Sequence, residues 1–398
     1  MISAVRGWTS SQKHVVTASY LGWTLDAMDF FILVFVLRDI AAEFQTSLVA
    51  VSLAASLTLA CRPIGAVIFG WLADRYGRQP VLIANIAVYS LLSFSTAFVP
   101  DLTSFLIVRA LFGVGMGGVW GISASLSMES IKVEARGLVS GFLQSGYSMG
   151  YLLAALIFGM FYQSMGWRGM FAVGIVPAAT LIAYVFACVP ESPSFAQGRT
   201  SETPVIDALR NHWKLGVYAI VLMACFNFFS HGTQDFYPTF LQKQHGLEAG
   251  TVSRIAVIYN IAAVLGCLLF GALSQIYGRR LTMISAALFA IPCTYIWALS
   301  ESIVILGLGA FLINFFVQGC WSIIPAHLNE LSPQGVRGVF PGTVYQLGNL
   351  LASGNLTLQA LIAEHYNYGL ALSVVALLAA LAISVLLYFG PEAHNVEL

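Results

Sequence analysis

The sequence predicts an all-α polytopic membrane protein with twelve transmembrane helices in two pseudo-symmetric six-helix halves. Three observations predict it. Of 398 residues 58% are hydrophobic and only 9% charged, with a mean hydropathy of +0.82, far from the composition of soluble domains. Twelve apolar stretches approach the ~20 residues that cross a bilayer. A segment of the first half also recurs in the second at a constant offset.

Each element follows from its own stretch. The apolar runs fall at about 15–37, 49–72, 80–99, 103–127, 138–160, 169–189, 214–240, 252–273, 280–299, 303–326, 338–361 and 368–390. The longest gap, beginning Pro190-Glu191-Ser192-Pro193, divides the chain into an N-terminal half (1–190), a cytoplasmic linker (191–213) and a C-terminal half (214–398). Basic residues set the orientation. With both termini cytoplasmic, twelve lysines and arginines lie inside and four outside, the excess that the positive-inside rule requires. Arg62 and Arg109 are left within spans.

The repeat is specific. Gly70-Trp-Leu-Ala-Asp74-Arg75-Tyr76-Gly77-Arg78 returns as Gly271-Ala-Leu-Ser-Gln275-Ile276-Tyr277-Gly278-Arg279, 201 residues later. At the same offset, Glu129 with Arg136-Gly137 meets Glu330 with Arg337-Gly338. Two matches at one offset point to a transporter built from duplicated halves, with its substrate site near the midplane between them.

Other classes are disfavoured. Eighteen basic and eighteen acidic residues cancel, so nothing marks a nucleic-acid partner. The six cysteines lie in apolar runs without metal-ligand or CxxC spacing and read as buried thiols. The first apolar run is too long for a signal peptide and lacks its cleavage site. A membrane enzyme needs a nucleophile, metal cluster or cofactor motif, and Gly113-x-Gly115-x-Gly117-Gly118, without a preceding strand, reads as close helix packing rather than a dinucleotide loop. A receptor or scaffold has no need of coupled ionisable groups.

Within the spans the costly residues are Asp26, Asp29, Arg62, Arg109, His231 and Asp235, and such residues face the bundle interior, pair, or mark an ion pathway. Asp26 and Asp29 stand within a turn of each other. Neighbouring carboxylates in low dielectric do not both ionise, so the pair is expected to carry a proton and couple transport, or else one neutralises Arg62 while the other caps local groups. Arg62 sits mid-span and suits an anionic substrate through paired hydrogen bonds, or packs as an ion pair. Arg109 is a proton-transfer partner or an internal brace. Asn227, His231, Gln234 and Asp235 share one face of the seventh span, where His231–Asp235 forms an i,i+4 unit in a low-dielectric wall, able to hold a proton near neutral pH. Gln144, Tyr147, Asn314, Gln318, Gln346 and Asn349 supply uncharged polar groups for a pocket or for bonds between helices. Asp74, Arg75, Arg78, Glu129 and Arg136 are expected to latch helix ends rather than touch substrate.

The segment from Gly70 to Arg78 resembles the signature between helices 2 and 3 of the major facilitator superfamily, and Arg109-Ala-Leu-Phe-Gly113-Val-Gly115-Met-Gly117-Gly118 resembles its helix-4 motif. Asn227-x-x-Ser230-His231-x-Thr233-Gln234-Asp235-x-x-x-Thr239 is similar to the helix-7 signature of yeast-type lactate/pyruvate–proton symporters, in the sialate/lactate symporter group. The Asp26–Asp29 segment and Arg62 also look like that group. The resemblance implies a proton-coupled symporter importing small carboxylates, such as lactate or pyruvate, with sialic acid as the alternative. It implies no cofactor beyond the coupling proton, no metal, a plasma-membrane location (the inner membrane of a bacterium) and a monomer in lipid. The second copy departs from the signature at Gln275 and Ile276, so a gating ion pair is not expected there. The chain also lacks the long central loop of larger relatives, which disfavours sialate.

Overall fold

The computed structural model describes residues 7–196, 210–333 and 336–392. Most of the expected linker, 197–209, falls outside the described residues, as do Arg6 and Arg199 of the topology argument. The described chain folds into twelve membrane spans in two six-helix bundles. In the first, α1 is Ser10–Glu43, α2 Leu48–Tyr76, α3 Arg78–Ser95 and α4 the pair Leu102–Gly117 and Val119–Ser130. The element Arg136–Val173 folds back at Gly166, where φ is 61°, and its limbs are α5 and, continued by Ile175–Cys188, α6.

In the second bundle, α7 is Trp213–Gln234 with Tyr237–Lys243, α8 Ala249–Tyr277, α9 Arg279–Ala298 and α10 Ile303–Trp321 with Ile324–Leu331. α11 is Phe340–Ala352 with Asn355–His365, and α12 is Tyr368–Phe389. Only ten stretches are by themselves long and apolar enough to span. One of these, Val133–Cys188, contains two spans, and α11 is cut at Ser353–Gly354 into limbs each too short to cross alone.

The helices outrun their hydrophobic cores because their ends are capped. Thr9 and Gln12 form a capping box that starts α1 five residues before the apolar run. Asp101 caps α4 and Asn367 caps α12 in the same way. At the α2–α3 and α8–α9 corners Gly77 and Gly278 take φ of 103° and 89°, a region open to glycine at little cost, so one helix ends and the next starts within a residue. Cys188 stands exposed at the end of α6, contrary to the expected burial, because its helix lies at the bundle surface.

Small residues weld particular pairs. A Cβ at Gly65 would lie 1.8 Å from the Val114 carbonyl oxygen, at Gly113 2.2 Å from that of Thr58, and at Gly117 2.0 Å from that of Arg62, so α2 and α4 touch backbone to backbone. Gly150 brings α5 equally close to α1, where a Cβ would meet the Thr24 oxygen at 2.6 Å. The glycine run of α4 is thus helix packing, as its sequence context predicts.

Two large apolar cores result. One gathers side chains from Val15 to Val189. The other gathers side chains from Ala219 to Leu387, joined by Trp23, Trp120, Ala124 and Leu143 of the first bundle. Those four mark where the bundles meet.

Candidate functional site

At the meeting place lies a small enclosed cavity of about 20 Å³, room for roughly one water. Its wall takes Trp23 from α1, Leu59 and Arg62 from α2, Gln144 and Tyr147 from α5, Asn227, Ser230 and His231 from α7, Gln318 and Trp321 from α10, and Tyr345 from α11. Of the residues singled out in the sequence, Arg62, Gln144, Tyr147, Asn227, His231 and Gln318 come together here. Ser230 belongs to the helix-7 signature, whereas Trp23, Leu59 and Tyr345 were missed, because an aromatic or aliphatic residue in an apolar span carries the same signal whether it packs or lines a cavity.

Arg62 is buried and its Nη2 stands 3.7 Å from Asp26 Oδ2. The spacing is long for a hydrogen bond, and Arg62 Nε and Nη2 have no hydrogen-bond partner, nor does Trp23 Nε1 beside them. Trp23 and Tyr345 place their rings 5.9 and 6.0 Å from the guanidinium carbon, within cation–π range. Most other polar groups of the wall are engaged. Trp120 Nε1 donates to Gln144 at 3.1 Å, Gln318 Nε2 to Ser230 at 2.9 Å, Asn227 Nδ2 to the Met223 carbonyl at 2.8 Å, and Trp321 Nε1 to that of Phe226 at 3.0 Å.

The two aspartates of α1 do not share a site. Only about 60° apart around the helix axis, they meet different neighbours: Asp26 faces Arg62, whereas Asp29, a turn further along, faces Arg109 of α4 and Ser93 of α3. Each carboxylate thus faces an arginine of its own, while the two remain close enough to repel each other. Arg109 is fully buried, makes no hydrogen bond from its guanidinium and lies 3.9 Å over the Phe112 ring. Asp29 and Arg109 lie outside the cavity wall.

Helix α7 divides likewise. His231 Nδ1 meets Asp235 Oδ2 at 3.0 Å, forming the expected i,i+4 unit. Asp235, however, caps the first limb of α7 with its side chain 45% exposed, so only the His231 end of the unit sits in the wall while its carboxylate end stands at the mouth of the site. Gln234 is spent on Ser230 and does not reach the cavity. Asn349 lies beside His231, while Asn314 and Gln346 are buried off the cavity, with Asn314 Oδ1 and both amide atoms of Gln346 unpartnered.

The end assigned to the cytoplasm is sealed. Asp74 accepts hydrogen bonds from Gly338 N (2.8 Å) and Val339 N (3.1 Å) just before α11, and Arg78 joins Asp74 to Glu129 at 3.0 and 3.1 Å. At the repeat offset, Gln275 Oε1 accepts from Gly137 N at 3.1 Å, and Arg279 holds Glu330 through two bonds of 2.9 Å. Gln275 thus supplies by its amide oxygen the contact for which no ion pair was expected. Arg136 pairs with Glu330 across the bundles at 3.8 Å. Arg75 is no latch: exposed, it lies 5.5 Å from the Trp71 and Tyr76 rings of its own helix.

A third match at the same offset was missed. Glu191 accepts from the backbone N–H of Arg78 and Gln79, and Glu392 from that of Arg280, so each glutamate caps the helix after the glycine corner. The signal existed, since Pro190-Glu191 and Pro391-Glu392 are also 201 residues apart.

Matched against protein families, the chain fits the Major Facilitator Superfamily over residues 20–354, with a second match over 238–397. A carboxylic acid transporter protein homolog of Saccharomyces cerevisiae is 29% identical over 92% of this chain, which spans only 64% of that protein's length. The sialic acid transporter NanX of Escherichia coli is 25% identical, covering 95% of this chain and 94% of its own. In fold, the proton:xylose symporter XylE superposes with a TM-score of 0.78 at 17% identity, over 96% of each chain.

Proposed function

The chain belongs to the Major Facilitator Superfamily, and on that premise we propose that it is a proton-coupled symporter importing small monocarboxylates, such as lactate or pyruvate, by alternating access. The observation that carries the reading is Arg62: a buried guanidinium on the cavity wall, its Nη2 3.7 Å from Asp26, with Nε and Nη2 making no hydrogen bond. A carboxylate entering the cavity accepts from those nitrogens and from Trp23 Nε1, and so competes with Asp26 for the charge of Arg62. Asp26, deprived of its counter-ion in a dry wall, takes up a proton. Substrate and proton then travel together. Asp29 with Arg109 offers a second, fully buried acid–base pair in the same bundle, and His231–Asp235 stands at the mouth where a proton arrives. No cofactor enters the cycle, and the acting unit is a monomer in the plasma membrane with both termini cytoplasmic.

Sialic acid is the second reading, favoured by a relative of similar length that is named a sialic acid transporter. Uptake into proteoliposomes driven only by an inward proton gradient, with lactate, pyruvate, acetate and sialate compared side by side, tests both. Accumulation of the monocarboxylates supports the first reading, and accumulation of sialate alone replaces it with the second. Arg62→Lys keeps the charge but loses the planar fork, so affinity falls about tenfold or more. Affinity unchanged in calorimetry removes Arg62 from the site. Asp26→Asn abolishes gradient-driven accumulation and spares counterflow. Accumulation retained in both Asp26→Asn and Asp29→Asn moves coupling to Asp235.

A further inference from the structure

Around Arg62 the cavity wall is more aromatic than a small aliphatic acid requires. Four of its eleven residues are Trp23, Tyr147, Trp321 and Tyr345, and they come in two blocks. In the first bundle Trp23 stacks on Tyr147 with centroids 5.7 Å apart and planes 25° apart. In the second Tyr345 packs edge-on against Trp321 at 5.5 Å and also meets Trp120 at 4.7 Å. One ring of each block lies within about 6 Å of the guanidinium carbon, so a carboxylate held by Arg62 presents the rest of its molecule to aromatic surfaces from both bundles.

The polar side of the wall gives the complementary constraint. Gln144 Oε1 already accepts from Trp120, Gln318 Nε2 donates to Ser230 and Asn227 Nδ2 to the backbone, and a hydroxyl-rich ligand that competes for these groups has to break those bonds. The donors buried without partners, Arg62 Nε and Nη2 and Trp23 Nε1, cluster where a single carboxylate sits. The cavity as closed admits about one water, so any substrate requires the two blocks to part. A flat ring, one atom thick, demands the least parting and gains contact on its faces.

We infer that the site is built for planar, ring-bearing monocarboxylates, the carboxylate on Arg62 and Trp23 Nε1 and the ring between the Trp23–Tyr147 and Trp321–Tyr345 blocks. This rests on the reading of Arg62 as the carboxylate anchor and narrows the substrate class it implies.

Calorimetry on the purified full-length chain, with benzoate, cyclohexanecarboxylate, lactate, pyruvate and benzyl alcohol as probes, separates the two claims. Benzoate is expected to bind about tenfold tighter than cyclohexanecarboxylate, lactate or pyruvate, and benzyl alcohol at least as weakly as those. Equal affinity for benzoate and cyclohexanecarboxylate, or tighter binding of lactate, overturns the planar preference while leaving the carboxylate anchor standing. Benzyl alcohol binding as tightly as benzoate overturns the anchor itself. Tyr345→Leu and Trp321→Leu, each checked for folding by thermal unfolding in detergent, should lower benzoate affinity more than pyruvate affinity and so reduce the benzoate preference toward unity. A preference retained in both folded variants also overturns the inference.

Discussion

Asp74 at the end of α2 and Gln275 at the end of α8 occupy corresponding places in the two halves, and each caps the first N–H groups of a helix in the opposite bundle. The first does so with a charge shared between two N–H groups, the second with a neutral oxygen that it offers to Gly137 N and also to Arg279 of its own bundle. A carboxylate at a helix N-terminus gains from the exposed N–H groups and the helix dipole together, whereas an amide oxygen gains the hydrogen bond alone. The ion pairs behind them are weighted the other way. Arg78 divides itself between Asp74 and Glu129, while Arg279 holds Glu330 through two bonds besides those to Ser274 and Gln275, and Glu330 draws in Arg136 from across the seam. Duplicated geometry has thus been filled with unequal chemistry: one latch holds through its cap, the other through its ion cluster.

The comparison can be broken most directly at Asp74. Asp74→Asn removes the charge from the helix-11 cap and from Arg78, and should favour opening of this end by about 2 kcal/mol, roughly 30-fold in population. Electron–electron spin distances between labels on the two bundles would report it, and an unchanged distribution would show that the charge carries no share of the seal. Gln275→Ala should open the same end by only about 1 kcal/mol, the worth of a neutral hydrogen bond. An effect equal to that of Asp74→Asn would erase the claimed inequality. Gln275→Glu sharpens the test, since a charged cap should shift the population toward closure by about 1 kcal/mol. Opening instead would mean that repulsion from Glu330 outweighs the cap.

The smallest effects belong to the outer caps. Glu191→Gln, which weakens bonds to two N–H groups, should cost about 1 kcal/mol of stability, and Glu392→Gln, whose capping contact is to the N–H of Arg280, no more than that. Both are readable as shifts in the thermal midpoint in detergent, and a larger loss for Glu392→Gln would reverse the assignment.

What the sequence made legible follows from the range of the signals. Apolar length located every span, because a bilayer imposes one length on all of them, and the 201-residue repeat located the sealed end, because its polar side chains are rare in such a chain. Side-chain direction was less accessible. Asp26 and Asp29 looked like one site until their neighbours were known, and Arg75 looked like Arg78 although one turns outward and the other bonds within. Gln346 and Asn314 carry the same sequence signal as Gln144 and Gln318, yet lie off the cavity, since helix rotation within a bundle is set by partners on other helices. Tyr345 had no signal of its own: its meaning comes from a guanidinium 283 positions away in the chain.

The close glycine contacts of the first bundle have a mechanical meaning. With α2 fixed to α4 through Gly65, Gly113 and Gly117, and α5 fixed to α1 through Gly150, this bundle contains two stiff plates rather than free rods. The Asp26–Arg62 ion pair straddles the seam between them, and the charges of Asp29 and Arg109, which act on each other without an ion-pair contact, face each other across the same seam. A slip along that seam loosens or tightens both pairs in a single stroke. The seam therefore works as a clutch, in which neither pair disengages without the other feeling the motion.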